Sequence, residues 1–354
     1  MKLDEILKGK WEVQTGPVLS PSRKGWDSFA SMTPVVFLNE SYRFPSSLKF
    51  GMLFIGAGSG SSSWGVGYAE SPDLRTWRKH GGNPLLIQRD GRFGYLLDAP
   101  CLFMDGHYGA GRACYRLFCE EKVVENGLAT ALRRILNPKV KTLLRNVKRM
   151  IDKTPTVVNH ARGRHFVQFS SEDPLVWDSA RKKSVFRGGN AAFESEGVFS
   201  PQIYKFGGRH CLFYGGTDGK RAFTGLAFSD TLDGIWKPVS APVLSPGGKG
   251  QWDEMNALIV SVIELQEGGW CAFYEGEDRL KRYRIGIAYS MDLMEWTKWE
   301  GNPVIDVGDS GSYMEQMVCG PRAFVHEGRL YLFFNAHSKE MSASSGLAIL
   351  SGSA

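Results

Sequence analysis

The sequence predicts an all-β fold, a five-bladed β-propeller in which each blade is a sheet of four antiparallel strands. The first observation is an internal repeat, because a short motif that ends in tryptophan occurs five times. The second is a set of short apolar strands, separated by glycine-rich turns, that recurs with the motif. The third is the position of the first motif, which precedes the first complete set of strands.

The motif is clearest at residues 71–77, which read Ser-Pro-Asp-Leu-Arg-Thr-Trp, and at residues 290–296, which read Ser-Met-Asp-Leu-Met-Glu-Trp. Both copies are followed by Gly-Asn-Pro. Serine and aspartate at a turn can hydrogen-bond their own backbone, so we expect the aspartates of the motif to be structural. The five tryptophans are Trp11, Trp77, Trp177, Trp236 and Trp296.

The spacing of these tryptophans predicts a closed ring. Successive spacings are 66, 100, 59 and 60 residues, and the long interval contains a basic insertion at residues 121–164. A further repeat after Trp296 would extend past the last residue, whereas Trp11 has no strands before it. The N-terminal segment is therefore predicted to supply the outer strand of the fifth blade, so that residues 1–354 form a single domain.

The insertion at residues 121–164 carries 11 basic and 3 acidic residues, a net charge of +8, while the rest of the chain has a net charge of −2. Its apolar residues recur at helical spacing on both sides of Pro138, which predicts a helical hairpin within blade two. The hairpin is expected to overhang the face on which the inner strands begin, as a lid or a wall. The alternative is an arm that forms a homodimer. Nucleic-acid contact is less favoured because no aromatic residues are interleaved with the charges.

The remaining bulk properties argue against several classes of protein. No run of 18 apolar residues occurs, so no membrane span is expected. Residues 1–5 contain no apolar signal core, which predicts a cytoplasmic protein. The six cysteines have no metal-binding or redox spacing, so neither a metal nor a cofactor is expected. Cys211 and Cys271 lie in apolar strands and are expected to be buried thiols.

Acidic residues recur just ahead of the inner strands. They are Asp27, Asp98, Glu194, Glu196, Asp253, Glu254 and Glu315. In a ring these segments converge on one mouth of the central channel, and crowded carboxylates cannot all ionise, so some pKa values are expected to rise. A protonated carboxyl beside an ionised one is the pair that cleaves a glycosidic bond. Trp26 and Trp252 each precede one of the acids and are candidates to stack on sugar rings, and Arg322 is a further candidate to bind substrate.

An aromatic–acid pair that recurs in several repeats also has a structural interpretation. The acid can cap a turn while the aromatic ring packs between blades, and this applies most to Asp27 and Asp253. Asp98 and Glu196 break the repeat pattern, which favours a functional role for these two residues.

The repeat, its tryptophan and Gly-Asn-Pro motifs, and the Glu196-Gly197 pair resemble the five-bladed propeller glycosidases of glycoside hydrolase families 43, 32 and 130. The resemblance covers nearly the whole chain outside residues 121–164. It implies a carbohydrate-active enzyme, either a glycoside hydrolase or a glycosyl-transferring enzyme. By blade, it also implies Asp27 as base or nucleophile, Asp98 as the acid that orients and tunes it, and Glu196 as the proton donor.

The positions of the acids depart from family 43, in which they lie one or two residues before the inner-strand proline. Asp98 matches this position, but Asp27 and Glu196 lie seven and five residues before their prolines. Two alternatives therefore stay open beside hydrolysis. One is a phosphorylase, or another enzyme on an anionic sugar or small metabolite, with Arg322 and the insertion supplying positive charge. The other is a non-catalytic carbohydrate-binding propeller.

Overall fold

The structure is a computed structural model that describes residues 1–58, 64–87, 97–108, 112–122, 164–188 and 191–351. In these ranges 21 β-strands form three sheets, and the helical structure is one short helix, α1 (Leu3–Lys8), and one 3-10 turn (Ala192–Glu194). The prediction of an all-β fold is confirmed. The predicted helical hairpin falls on residues 121–164, of which 123–163 lie outside the described residues.

The strands follow one another in antiparallel repeats, each led by a long first strand. Repeat 1 contains β2 (Ala30–Leu38), β3 (Phe50–Ala57), β4 (Trp64–Ser71), β5 (Arg78–Lys79) and β6 (Leu86–Ile87). Repeat 2 contains β7 (Leu97–Tyr108), β8 (Arg112–Lys122), β9 (Arg164–Ser171) and β10 (Lys182–Phe186). Repeat 3 contains β11 (Gly197–Phe206), β12 (Arg209–Thr217), β13 (Ala222–Ser229) and β14 (Lys237–Pro238).

The last two repeats have the same order of strands. Repeat 4 contains β15 (Asn256–Glu264), β16 (Trp270–Glu277), β17 (Tyr283–Ser290) and β18 (Thr297–Lys298). Repeat 5 contains β19 (Met317–His326), β20 (Arg329–His337), β21 (Ala343–Ser351) and the N-terminal β1 (Lys10–Val13).

The N-terminal strand completes the last repeat. Strand β1 pairs antiparallel with β21, and Trp11 lies opposite Leu350. The beginning of β2 pairs in parallel with the beginning of β21 through Ala30 and Ala343. Repeats 5 and 1 therefore share a nine-stranded sheet, while repeats 3 and 4 share an eight-stranded sheet and repeat 2 forms a sheet of its own. The two ends of the chain are thus joined by strand pairing, as the position of Trp11 predicted.

Each first strand packs against the preceding repeat. Strand β7 contacts β2, β3 and β4, β11 contacts β7, β8 and β9, and β15 contacts β11, β12 and β13. Strand β19 contacts β15, β16 and β17, and β2 contacts β19, β20 and β21. Repeats that follow one another in sequence are therefore neighbours, and the fifth repeat is a neighbour of the first.

The tryptophan motif is a hydrogen-bonded turn. In residues 290–296, Asp292 Oδ1 accepts the amides of Met294 at 2.8 Å and Glu295 at 2.9 Å, and these bonds lower the pKa of Asp292. Trp296 Nε1 donates to the carbonyl of Leu293 at 2.9 Å, which fixes the ring against the turn. Asp73 accepts the same pair of amides in residues 71–77. The structural role predicted for these aspartates agrees with the contacts.

Two predicted sugar-stacking residues pack over glycines of their own repeat. A Cβ added to Gly276 of β16 would lie 2.3 Å from Trp252 Cζ3, and one added to Gly56 of β3 would lie 2.2 Å from Trp26 Cζ3. The absence of a side chain therefore lets the indole ring lie directly on the strand. Both tryptophans stay partly exposed, so one part of each ring builds the repeat while the rest faces solvent.

Candidate functional site

The segments that carry the predicted acids precede the first strands, and the pairing of the strands places these segments on one side of the sheets. The first strand of each repeat begins where the second strand ends, because the two pair antiparallel. Gly197 at the beginning of β11 pairs with Thr217 at the end of β12, and Asn256 of β15 pairs with Glu277 of β16. The side of the molecule on which the first strands begin and the second strands end is called the site face below. It also carries the segments that precede the first strands.

Asp27, predicted as base or nucleophile, is held inside repeat 1. Its side chain is 3% exposed and forms an ion pair with Lys79 of β5. The same oxygen, Asp27 Oδ2, accepts hydrogen bonds from Ser22 Oγ at 3.0 Å and Ser31 Oγ at 3.2 Å. Breaking a buried ion pair leaves an uncompensated charge, which is costly. These contacts favour the structural interpretation of Asp27.

Asp98 and Glu196 lie at the site face in adjacent repeats. The backbone of Asp98 pairs with Glu120 of β8, and its side chain lies outside the described residues. Glu196 immediately precedes β11, and its amide donates to the carbonyl of Thr217 at 2.9 Å. The side chain of Glu196 is partly exposed and runs beside Gly219, where an added Cβ would lie 3.1 Å from Glu196 Cγ. Glu196 therefore supports the loop between β12 and β13.

Two acids that were predicted to bind substrate contact a tyrosine of their own repeat. Asp253 is buried, accepts a hydrogen bond from Tyr274 Oη at 3.2 Å and forms an ion pair with Lys298. Burial and the adjacent Asp253 charge raise the pKa of Tyr274. Burial and the charge of the buried Glu194 likewise raise the pKa of Tyr214. The recurrence of this contact in repeats 3 and 4 indicates that both acids help to build their repeats.

Glu254 and Glu315 hold equivalent turns ahead of β15 and β19. Glu315 Oε2 accepts the amide of Gly311 at 2.8 Å, and Glu254 accepts the amide of Gly250. Glu254 also forms an ion pair with Arg279, and the hydrogen bonds from Arg279 and Gly250 lower the pKa of Glu254. Glu254 is therefore ionised at neutral pH, and it is suited to accept hydrogen bonds from hydroxyl groups rather than to donate a proton.

Arg322 belongs to a layer of residues within the first strands. Each member is the first residue that pairs with the second strand after the β-bulge of its first strand, and the members are Val35, Cys101, Gln202, Ser261 and Arg322. Arg322 donates to Gln202 Oε1, and the thiol of Cys101 lies 3.7 Å from the same oxygen. Arg322 is 8% exposed, so its guanidinium lies below the site face rather than on it.

Three buried polar residues at the ends of the second strands were not predicted from the sequence. Glu120, Glu275 and Asn335 occupy the same position of repeats 2, 4 and 5, and each accepts an amide from the first strand of the next repeat. The contacts are Ser200 N to Glu120 Oε2 at 2.6 Å, Gly320 N to Glu275 Oε2 at 2.8 Å and Thr33 N to Asn335 Oδ1 at 2.5 Å. The three donors have φ angles of +51°, +60° and +55°, an uncommon conformation outside glycine. These side chains thus join consecutive repeats at residues in the left-handed region, which is strained at Ser200 and Thr33 and is readily adopted by Gly320.

A cavity of about 540 Å³ opens between repeats 3 and 4 on the site face. Its volume is within the range of small-molecule sites. One wall is the loop between β12 and β13, and Glu196 lies against Gly219 of the same loop. The charged residues that line the cavity are Asp218, Lys220, Arg221, Lys249, Glu254 and Arg279. Of the predicted site residues, the structure therefore brings Glu254 into the cavity and Glu196 beside it, while Asp27 and Glu315 lie in other repeats.

The described ranges contain no group of three or more His, Cys, Asp or Glu residues arranged to hold a metal ion. In the same ranges, no helix has the length and apolar character that a membrane crossing requires. The described part of the site presents carboxylates, cationic side chains and backbone amides. Such groups bind hydroxyl-rich or anionic ligands and transfer protons.

Comparison with known proteins identifies the fold. No protein-family model and no curated protein sequence matches the chain. A glycosyl hydrolase from Bacteroides ovatus is 15% identical, with a TM-score of 0.64 over 98% of this chain and 95% of that chain. An N-acetylgalactosamine deacetylase from F. plautii, solved with blood group B trisaccharide, is 11% identical, with a TM-score of 0.59 over 96% of this chain and 95% of that chain.

A third structure comes from glycoside hydrolase family 130, described as mannoside phosphorylases that include glycoside hydrolases acting on β-1,2 mannosidic linkages in Candida mannan. It is 15% identical, with a TM-score of 0.59 over 96% of this chain and 93% of that chain. At these identities the similarity shows the fold. The predicted resemblance to glycosidase-like proteins is confirmed at that level, and the neighbours include a hydrolase, a deacetylase and a phosphorylase family on one scaffold.

Proposed function

We propose that the protein is a carbohydrate-active enzyme that works at the site face, as a glycoside hydrolase or a glycosyl-transferring enzyme. The observation that carries the proposal is the similarity of nearly the whole chain to sugar-processing enzymes. The carboxylates of Glu196 and Glu254 and a cavity of suitable size on the same face support it. Fold similarity alone does not define chemistry, so the proposal depends on these residues.

The same proposal includes a closed five-bladed propeller in which residues 1–354 form one domain. The contact of every first strand with the preceding repeat, and of β2 with repeat 5, supports closure. Residues 123–163, the part of the insertion between β8 and β9, are proposed to be helical and to stand beside the site face, because β8 ends and β9 begins there. A homodimer through this insertion remains the alternative role.

For catalysis we propose Glu196 as the proton donor and Asp98 as the carboxylate that orients and tunes the reaction. Asp98 is supported by its place at the beginning of β7, and Glu196 by its partial exposure beside the cavity. Asp27 remains the third candidate, but its pair with Lys79 would have to open before it could reach a substrate. Glu254 is proposed to bind substrate hydroxyls.

The experiment is a turnover screen over glycosides and oligosaccharides, with and without phosphate, analysed by mass spectrometry of the products. We expect at least one substrate to be consumed by the wild type. Glu196→Gln and Asp98→Asn should each lower kcat/KM by roughly 100-fold or more, because a general acid or base contributes about that much. The control Glu295→Gln alters an exposed residue of a tryptophan motif and should leave the rate unchanged. Full activity in both site variants would remove the proposed mechanism.

Phosphorolysis is the second candidate, and the excess of cationic residues in the cavity favours it. A phosphorylase requires phosphate and releases a sugar phosphate, whereas a hydrolase does neither. The same screen separates them, because a product that appears only with phosphate indicates phosphorolysis.

A non-catalytic sugar-binding role is the third candidate. It is favoured by the observation that Asp27 and Asp253 are both engaged in ion pairs within their own repeats. Binding of a glycan without turnover would support this role.

For the location of the protein, six free cysteines support a reducing compartment, and we propose the cytoplasm.

A further inference from the structure

The cavity between repeats 3 and 4 has an excess of positive charge. Four cationic side chains line it, Lys220, Arg221, Lys249 and Arg279, against the two carboxylates of Asp218 and Glu254. All four cations are exposed residues of loops, so their charge is directed to the cavity and to solvent rather than to the protein interior. A cleft lined by one sign of charge raises the local concentration of ligands of the opposite sign.

Both carboxylates of the cavity are already engaged. Glu254 forms an ion pair with Arg279 and accepts the amide of Gly250. Asp218 Oδ1 accepts the amides of Lys220 and Arg221, each at 2.8 Å, and so shapes its own loop. In the part of the chain that the structure describes, no ion pair joins Lys220, Arg221 or Lys249 to a carboxylate, and Lys249 acts on Glu254 only as a nearby charge that helps to lower its pKa.

The guanidinium of Arg221 is held in place by an aromatic ring. It lies over the ring of Phe223 in β13 at 5.3 Å from the centroid, which is a cation–π contact. A planar guanidinium can bind two oxygens of one oxyanion at once, and ammonium groups add point charges. Arg221 with Lys220 and Lys249 thus provides complementary groups for an oxyanion, which would also relieve the mutual repulsion of the three cations.

We infer that this cavity binds the anionic substituent of a sugar, a phosphate, a sulfate or a carboxylate, through Lys220, Arg221 and Lys249. The cavity of about 540 Å³ has more room than a free oxyanion needs, and Glu196 lies against Gly219 of the loop that forms one of its walls. An anionic group bound here places the attached sugar on the site face. The sugar part of the inference rests on the proposed function, whereas the oxyanion part rests on the cavity alone.

The test is a calorimetric titration at low salt with five probes: inorganic phosphate, a hexose 6-phosphate, a hexose 6-sulfate, a hexuronic acid and the neutral hexose. The cavity variant is Lys220→Gln, Arg221→Gln and Lys249→Gln combined. The matched control is Lys205→Gln, Lys237→Gln and Lys339→Gln, which removes the same charge from exposed positions elsewhere. Thermal unfolding of both variants checks that they are folded.

We expect at least one anionic sugar to bind ten-fold or more tightly than the neutral hexose, and the preference to weaken with added salt. The cavity variant should lose this preference while the control keeps it within two-fold. Arg221→Lys keeps the positive charge but not the planar guanidinium, and it should lose part of the preference for the anionic sugar. The ranking of the sulfate, phosphate and carboxylate probes identifies the substituent.

Equal binding of the anionic and neutral hexoses, or an unchanged preference in the cavity variant, would overturn the inference. The two proposals fail separately. Phosphate binding that depends on the cavity, in a protein that turns over no glycoside, supports the oxyanion site and contradicts the enzyme. Turnover of neutral glycosides without any binding of oxyanions supports the enzyme and contradicts the oxyanion site.

Discussion

At the scale of single residues, the same ion pair occurs in two repeats. Asp27 pairs with Lys79 in repeat 1, and Asp253 pairs with Lys298 in repeat 4. Both carboxylates are 3% exposed, and both lysines come from a two-residue outer strand. An acid that recurs with its own cation at one position of a repeat anchors the outer strand to the segment that precedes the first strand.

Removing one partner of this pair should destabilise the protein. Lys298→Met leaves Asp253 buried without its cation, and we expect a loss of about 3 kcal/mol in the free energy of unfolding, the lower end for a broken buried pair. Asp253→Asn combined with Lys298→Met should recover part of this loss, because no charge stays buried. Chemical denaturation measures the free energy of unfolding of the single and the double variant. The exposed pair Lys8–Asp4 is the control, and Lys8→Met should cost about 0.5 kcal/mol or less.

The motif aspartates predict a dependence of stability on pH. The amides of Glu295 and Met294 lower the pKa of folded Asp292, so its contribution is present above the unfolded pKa of about 4 and is lost as the pH falls through the folded pKa. Asp292→Ala should therefore lower the melting temperature at pH 7, and the difference from the wild type should shrink as the pH falls below about 4. Asp309→Ala, at an exposed position, should change little. A difference that is constant with pH would contradict this role.

At the scale of elements, repeats 1 and 4 each pack a tryptophan ring directly over glycines of their second and third strands. Trp252 lies on Gly276 of β16 and also over Gly286 of β17, where an added Cβ would lie 2.8 Å from Trp252 Cζ2. Trp26 covers Gly56 and Gly67 in repeat 1 in the same way. The glycines of the third strands therefore accept a ring from the segment ahead of the first strand.

Gly276→Ala tests this packing. The new methyl group would overlap Trp252, and since the ring is confined by Tyr274, we expect a loss of about 1–3 kcal/mol in the free energy of unfolding. Gly16→Ala is the control, because nothing lies within 4 Å of the added Cβ and its φ is not in the left-handed region. Equal stability of the two variants in urea denaturation would show that the packing of Trp252 does not require a glycine at position 276.

At the scale of the whole molecule, the N-terminal strand links repeats that are distant in sequence. Trp11 of β1 pairs with the last strand, and its ring lies 5.8 Å from that of Phe273 in repeat 4, edge to face. Strand β1 thus joins residues near both ends of the chain to a sheet in the middle of it. A fold closed in this way is expected to lose stability throughout when β1 detaches.

Trp11→Ala should therefore lower the stability of the whole protein by about 3 kcal/mol, the lower end for such a truncation because Trp11 is partly exposed. The unfolding transition should stay single and move to lower denaturant concentration. Circular dichroism and tryptophan fluorescence in urea give two independent probes of it. Two separated transitions, with repeats 1 to 4 unfolding as before, would contradict a fold closed by β1.

The features predicted from the sequence and those that were not differ in the range of their contacts. The turn of residues 290–296 is local, and the completion of repeat 5 by β1 follows from counting repeats. The bridge from Glu275 to Gly320 could not be predicted, because its donor is a backbone amide 45 residues away and an amide leaves no mark in the sequence. The ion pair of Asp27 with Lys79 could not be predicted either, because the sequence does not indicate which acid a lysine of an outer strand contacts.

The leaving-group dependence of the rate tests most directly whether the site face carries out glycosyl transfer with Glu196 as proton donor. Aryl glycosides of the sugar found in the screen would be compared for the wild type and Glu196→Gln. A poor leaving group needs protonation, so the variant should lose roughly 100-fold or more in kcat/KM with it, but little with an activated dinitrophenyl leaving group. Equal losses with both leaving groups, or no loss with either, would contradict the assignment.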